Sequence, residues 1–409
     1  MMFLSNEEKQ MLDGSMGEGV RKAMDMLVAL GKAFDAEKMI KVSRTHVALS
    51  GQEGDTYWCE LLVNGGAHCL VPPTTNPNWD VETLNPIYTV SSEKLFLAAR
   101  TEDVYRRIGA IMTHCCTPEL AGNVPTFGEH VAFSESSATP YVNSILGARS
   151  NRESSVSALA SAVTGRTPYY GLHLDKNRKG NMVVTVETDL RNAYDWGLLG
   201  WFVGMHTGNL VPVVQFSKKA YHWVRPTPEE LLYFTTESST SGAVPMFHLV
   251  GITPEASTLE TALGGNKIQK ELTVTREDLD EVQRLVSDPA GKIHLVLLGC
   301  PHYTYNQLKE VAALLKGRKI AEGVHFWILT SFDAIELAKR SGHFDLLKAS
   351  GVGVVPDTCM DQPCFDGFQG KLYLTDSAKC AHYQKRRGLP FVLRSLSECI
   401  EIAVKGEVK

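Results

Sequence analysis

The chain has 409 residues, of which 44% are hydrophobic and 21% charged, with a formal net charge of −5. This is ordinary globular composition, long enough for two or three domains with sizeable cores. A mildly acidic chain without a basic block argues against nucleic acid as a partner, and no apolar run is long enough to span a membrane. The N-terminal MMFLSNEEKQ lacks the apolar core of a signal peptide, so a soluble cytoplasmic protein is expected. Nine scattered cysteines with no CxxC pair exclude a disulfide framework and make a zinc ribbon a poor fit.

Ser5 and Glu8 predict a capping box on a short helix ended by Asp13-Gly14. Val20, Ala23, Met24, Leu27 and Leu30 predict a second helix over 16–34. MIKVSRTHVAL (39–49) reads as a strand, and GQEGDTYWCELL, from Gly51, as a turn entering an apolar segment. HCLVPPTTNPNWD (68–80) reads as an ordered loop after a strand; its Thr74, Thr75 and Asn76 could bind a ligand, with Thr74 and Thr75 candidate substrate contacts, although such loops are mostly turns. Residues 92–108 predict a helix, and IGAIMTH (108–114) a short strand delivering the chain into Cys115-Cys116.

The second half alternates strands and helices, which predicts parallel sheet. Strands are expected at 245–250, 293–299, 325–329 and 351–355, with Thr304 and Gln307 capping the helix after the second. Gly197, Gly200, Gly204 and Gly208 among large apolar residues suit close helix packing. The run 266–284 reads as a strand entering a solvated helix, and 395–404 as an amphipathic helix. The fold class is α/β, with two parts expected: 1–230, carrying Cys116 and a Ser/Asn/Arg-rich segment, and 231–409, carrying Cys300 and Cys359.

Cys116, Cys300 and Cys359 each sit at an expected strand-to-loop turn beside Pro or Thr. In open α/β sheets ligands gather outside the carboxyl ends of strands. Three thiolates arriving there would suit an iron–sulfur cluster with one iron left open as a Lewis acid. Three buried cysteines with no metal remain the alternative, since cysteine is often a plain core residue. Cys115 reads as filler, because neighbouring side chains diverge.

The string CTPELAGNVPTFGEHVAFSESSATPYVNSILGARSNRE (116–153) resembles the corresponding segment of the aconitase X family. So do LSNEEKQMLDGSMGEGVRKAMDMLVALG (4–31), VPPTTNP (71–77), SALASAVTGRTPYYGLHL (157–174), GCPHYTYNQL (299–308), DTC (357–359) and TDSAKCAHY (375–383). The resemblance implies an aconitase-like fold and a hydro-lyase activity. It implies a cluster, 4Fe-4S or 2Fe-2S, held by Cys116, Cys300 and Cys359. It also implies a small swivelling domain, absent here and expected as a separate subunit that carries a serine base, the pair forming a heterodimer. The substrate it implies is a small β-hydroxy carboxylate. The first choice is cis-3-hydroxy-L-proline, dehydrated to pyrroline-2-carboxylate, and the alternative is mevalonate 5-phosphate. A binding protein that kept the fold and lost the chemistry is the remaining alternative.

Removing the proton beside a carboxylate and expelling a β-hydroxyl calls for anion holders and proton carriers. Arg149 and Arg152 are candidates to grip the carboxylate, against structural forks to backbone or acid. Ser136, Ser137 and Asn143 are candidate substrate contacts, against loop residues satisfying their own backbone. Glu135 is expected to accept or relay a proton if burial raises its pKa. His130 and His302 are candidate acids or groups that orient a ligand. Lys379, in the polar turn after Thr375, could hold an anion, although a surface position is the ordinary reading for such a lysine.

Overall fold

The computed structural model describes residues 2–49, 52–218, 220, 225–287, 291–368 and 370–408; Gly51 of the expected turn lies outside the described residues. The first two helices are as expected. Asn6–Asp13 carries the Ser5/Glu8 capping box, and Glu18–Ala33 buries Ala23, Met24 and Leu27. The apolar segment after Gln52 is the helix Glu53–Asn64.

Three fully parallel sheets organise the described residues, together with an antiparallel pair, Met39–Lys41 with Arg166–Pro168. The first has strands in the order Thr74–Asn76, Arg44–Ala48, Val131–Phe133. The second runs His248–Leu249, Pro212–Phe216, Met182–Val186, Lys270–Val274. The third runs Gly353–Pro356, His325–Thr330, Ile293–Tyr303, Leu372–Thr375, Phe391–Leu393. Ile293–Tyr303 is the central strand of the third sheet. Its apolar run is what a strand covered on both faces requires, with Leu298 opposite Ile328 and Val296 opposite Leu374. One core cluster spans the second and third sheets, from Trp196 and Phe234 to Leu295 and Tyr373.

The helices Ala193–Thr207 and Pro228–Gly242 bear out the glycine reading at Gly200 and Gly204, while Gly208 ends the first helix in open space. A Cβ at Gly200 would stand 2.3 Å from the Phe234 carbonyl oxygen, and one at Gly204 2.5 Å from that of Ser238. Residue 230, the expected division of the chain, falls inside the second of these helices, and the strands flanking it pair in one sheet.

Three expectations near the site are corrected. Residues 108–114 are not a strand. The helix Ser92–Arg107 runs up to Ile108, Gly109 turns at φ +93°, and only Ile111 makes an isolated bridge to Thr74. Thr74–Asn76, expected in a loop after a strand, is itself a strand and follows a helix. Cys300 lies within the central strand, which extends to Tyr303, rather than beyond its end. No helix among the described residues is long and apolar enough to cross a membrane.

Candidate active site

The first and third sheets turn their carboxyl ends towards a shared site, the place where open α/β sheets put ligands. Asn76 ends its strand, and Glu135 follows Phe133 by two residues. Cys300 sits near the end of the central strand, Cys359 lies just after Pro356, and Lys379 is in the first turn of the helix Ala378–Arg386. Cross-links join the segments. The Cys359 amide donates to the Asn78 carbonyl (3.0 Å), the Asp80 amide donates to Thr358 Oγ1 (3.0 Å), and the His302 amide donates to Cys116 Sγ (3.4 Å). The Ser239 hydroxyl donates to the Ser136 carbonyl (2.5 Å), tying in the helix Pro228–Gly242.

Lys379 and Glu135 form a buried ion pair, each 8% exposed. The ammonium donates to Glu135 Oε1 and Ser136 Oγ, both at 3.2 Å. Glu135 Oε1 also accepts from the hydroxyls of Ser136 (3.0 Å) and Ser137 (3.1 Å) and the Ser137 amide (3.2 Å), while Oε2 accepts from Asn76 Nδ2 (2.8 Å). Burial alone would push this carboxyl up. Lys379, Asn76 and Ser137 outweigh it and hold Glu135 down at about 2. Glu135 is therefore an anion that accepts hydrogen bonds, not the raised-pKa acid anticipated. Lys379 is buried, not superficial; burial favours its neutral form, but Glu135 raises its pKa well above the ordinary range.

Cys300 is an electrostatic neighbour of both Cys116 and Cys359, and all three are electrostatic neighbours of Lys379. Burial pushes the Cys300 thiol far up; Lys379 opposes this, and Cys359 and Cys116 add to it. Burial likewise raises Cys116 strongly, and Cys359 to about 11. All three are free thiols. Without added positive charge they stay protonated, and a bound metal is what would convert them to thiolate ligands. Among the described residues no three Cys, His, Asp or Glu side chains stand close enough to chelate a single metal ion. A multi-iron cluster takes one thiolate per iron and spaces its ligands more widely. The donor set fits such a cluster.

His302 links the ligand segments. Its amide holds Cys116, and its ring Nε2 donates to the Thr358 carbonyl (2.9 Å), one residue before Cys359. Burial drives its pKa to about 4, so the ring is neutral and its one proton is committed. It orients rather than protonates. The other candidates lie elsewhere. His130 hydrogen-bonds His173 through their Nδ1 atoms, 3.0 Å apart, with the rings tilted. Arg149 grips Asp175 and the His173 carbonyl, and Arg152 the Ala243 carbonyl. Asn143 is fully buried, clamped between Ser150, Pro245 and Arg178. Thr75 is spent on Thr113 and Ile111. Thr74 contacts His46, and Ser137 supports Glu135. Cys115 is buried against Thr117, as a filler should be. Asn76, a candidate ligand contact, binds Glu135 instead. Sequence reasoning missed His46 and Asn123, whose partners lie far along the chain.

A cavity of about 470 Å³ adjoins these segments, lined by Asn78, His114, Asp361 and Tyr383 and by the charged residues Lys94, Glu102, Asp366, Arg386 and Arg387. Lys94 pairs with Asp366, and Arg387 with both Asp361 and Asp366.

Family models match the chain in three consecutive pieces: aconitase X first domain over 1–176, second domain over 180–284 and third domain over 293–405. The phosphomevalonate dehydratase large subunit of Methanothermobacter thermautotrophicus is 35% identical over 388 residues, covering 93% of this chain and 94% of that protein. The cis-3-hydroxy-L-proline dehydratase of Pseudomonas aeruginosa is 32% identical over 410 residues, covering 98% of this chain but 69% of that protein. The crystal structure of Thermococcus kodakaraensis aconitase X (holo-form) superposes with a TM-score of 0.88 at 31% identity, covering 98% of this chain and 100% of that one.

Proposed function

The chain belongs to the aconitase X family, whose named relatives are dehydratases, and on that footing we propose that it is the large, catalytic part of a hydro-lyase acting on a small β-hydroxy carboxylate. The observation that carries this reading is the buried Lys379–Glu135 pair, with the free thiols of Cys116, Cys300 and Cys359 as electrostatic neighbours of Lys379. Cys116, Cys300 and Cys359 would hold an iron–sulfur cluster, which when bound supplies Lewis acidity to a substrate hydroxyl or carboxylate.

The chain's own groups do the rest. Dehydration breaks a C–H bond beside the carboxylate and a C–O bond at the β-carbon, forms the double bond, and releases the proton and hydroxide as water. Lys379 is a fixed, desolvated cation that binds the substrate carboxylate and offsets negative charge building on the adjacent carbon. Glu135 holds the ammonium in place, and Ser136 bridges the two. None of these takes the α-proton: Lys379 stays protonated and Glu135 is too weak a base at about 2. A base from a smaller partner subunit, a serine by the family resemblance, completes the site. Relatives named "large subunit" match this chain nearly end to end, which supports a two-subunit enzyme.

For the substrate, cis-3-hydroxy-L-proline comes first. The cavity lining sets Glu102, Asp361 and Asp366 against Lys94, Arg386 and Arg387, and Lys94 and Arg387 are already paired with those aspartates, leaving little positive charge for a phosphate dianion. Mevalonate 5-phosphate is the second reading, favoured by the full-length match to phosphomevalonate dehydratase large subunits. The test is to purify the chain anaerobically with its small subunit and follow loss of each compound. Turnover of cis-3-hydroxy-L-proline is expected; turnover of mevalonate 5-phosphate alone promotes the second reading, and turnover of neither removes both.

A further inference from the structure

Behind Glu135 a chain of buried polar side chains runs back into the first sheet. His46 lies opposite Thr74 in register, and Asn76 is two residues further along that strand, so all three point to one face. His46 Nδ1 is 2.7 Å from Thr74 Oγ1, and Nε2 is 2.7 Å from Asn76 Oδ1. Asn123 Nδ2 donates to Thr74 Oγ1 (2.8 Å) and to the Thr45 carbonyl (3.0 Å).

The direction of every proton in this chain is determined. Glu135 Oε2 is an anion and accepts, so Asn76 must present its NH2 there; the flipped amide would set oxygen against oxygen. Asn76 Oδ1 then faces His46 and can only accept, which puts the ring proton on Nε2. Nδ1 is left bare and takes the Thr74 hydroxyl proton, and that hydroxyl accepts from Asn123. All the donors point towards Glu135. His46 is fully buried under the Phe133 ring, at 5.7 Å, and the charged group acting on it is Glu135.

We propose that Thr74, His46 and Asn76 form a one-way donor relay that fixes Glu135, and through it Lys379, with His46 as the central positioning residue. Glu135 Oε1 takes four donors, the Ser136 and Ser137 hydroxyls, the Ser137 amide and Lys379, whereas among the described residues Asn76 alone donates to Oε2. Releasing Asn76 frees the carboxylate to turn and lets the ammonium drift from the substrate. Catalytic effects of this relay rest on the dehydratase reading above; the state of the ring does not.

Two measurements on the full-length chain separate the ideas. Long-range 1H–15N NMR of 15N-histidine-labelled protein, with His46 assigned by the loss of its signal in His46→Gln, should show a neutral ring protonated on Nε2 from pH 8 to pH 5. Thr74→Val, which removes the donor to Nδ1 but leaves Asn76 Oδ1 in place, should keep the Nε2–H tautomer and shift only the Nδ1 resonance. A cationic ring or an Nδ1–H tautomer in the parent chain overturns the relay whatever the enzyme's substrate. In turnover with the small subunit, His46→Leu should lower kcat/KM by about 10–100-fold, as outer partners of a reacting group do. His46→Gln, which keeps an N–H donor for Asn76, should recover most of that loss. Equal losses in the two variants would reduce His46 to a packing residue.

Discussion

Replacing Lys379 with Met tests the electrostatics of the site without reference to any substrate. Glu135 would stay buried beside Asn76, Ser136 and Ser137, deprived of its cation. If it kept its charge, the orphaned buried ion would cost about 3–5 kcal/mol. The alternative is to take up a proton. At pH 7 that costs about 1.4 kcal/mol for each unit between the ambient pH and the ordinary carboxyl value of 4.5, or about 3 kcal/mol. This cheaper route sets the ceiling, and it falls to under about 1 kcal/mol at pH 5. The parent chain behaves differently. Its Glu135 is held at about 2, below the unfolded value, so that contribution is complete above 4.5 and is lost only as the pH falls towards 2. Between pH 7 and pH 5 the parent's share is constant, and the gap closes from the variant's side. Urea denaturation of parent and Lys379→Met at the two pH values reads this directly. Adding Glu135→Gln should restore most of the loss at pH 7. A deficit equal at pH 5 and pH 7 would show that Glu135 does not titrate as argued.

Cys300→Ser should strip iron from anaerobically purified protein while leaving the far-ultraviolet circular dichroism unchanged; iron content equal to that of the parent would remove Cys300 from the ligand set. Gly200→Ala sets a methyl group 2.3 Å from the Phe234 carbonyl oxygen and should destabilise the chain by about 1–3 kcal/mol; an unchanged melting temperature would contradict the close helix approach. Arg149→Ala and Arg152→Ala should leave KM within about threefold of the parent, because both guanidinium groups are spent on Asp175 and on carbonyls of other loops; a large rise in KM would return them to the substrate.

What was legible in the sequence was what local chemistry decides. The capping boxes at Ser5 and Thr304, the apolar run of the central strand and the glycine-lined helix contact all follow from neighbouring residues. The strand-end logic that singled out Cys116, Cys300 and Cys359 misplaced two of them: 108–114 is not a strand, and Cys300 lies within its strand rather than beyond it. The run 108–114 is apolar because it packs after a helix, and no periodicity separates the two cases at seven residues. What was not legible depends on partners distant in sequence. Glu135 meets Asn76 across 59 residues and Lys379 across 244, and those meetings decide that its pKa falls when burial alone would raise it. Arg149 and Asn143 look like anion holders until Asp175, Ser150 and Arg178 are seen to occupy them.

The Lys379–Glu135 pair also bears on how the protein is made. A nascent chain that has emerged as far as residue 350 has Glu135 and Cys116 in place but neither Cys359 nor Lys379. Its half-built pocket would hold an unmatched buried carboxylate, which disfavours early closure of the first sheet's rim. Closure of that rim is therefore favoured once Lys379, 244 residues after Glu135, has emerged.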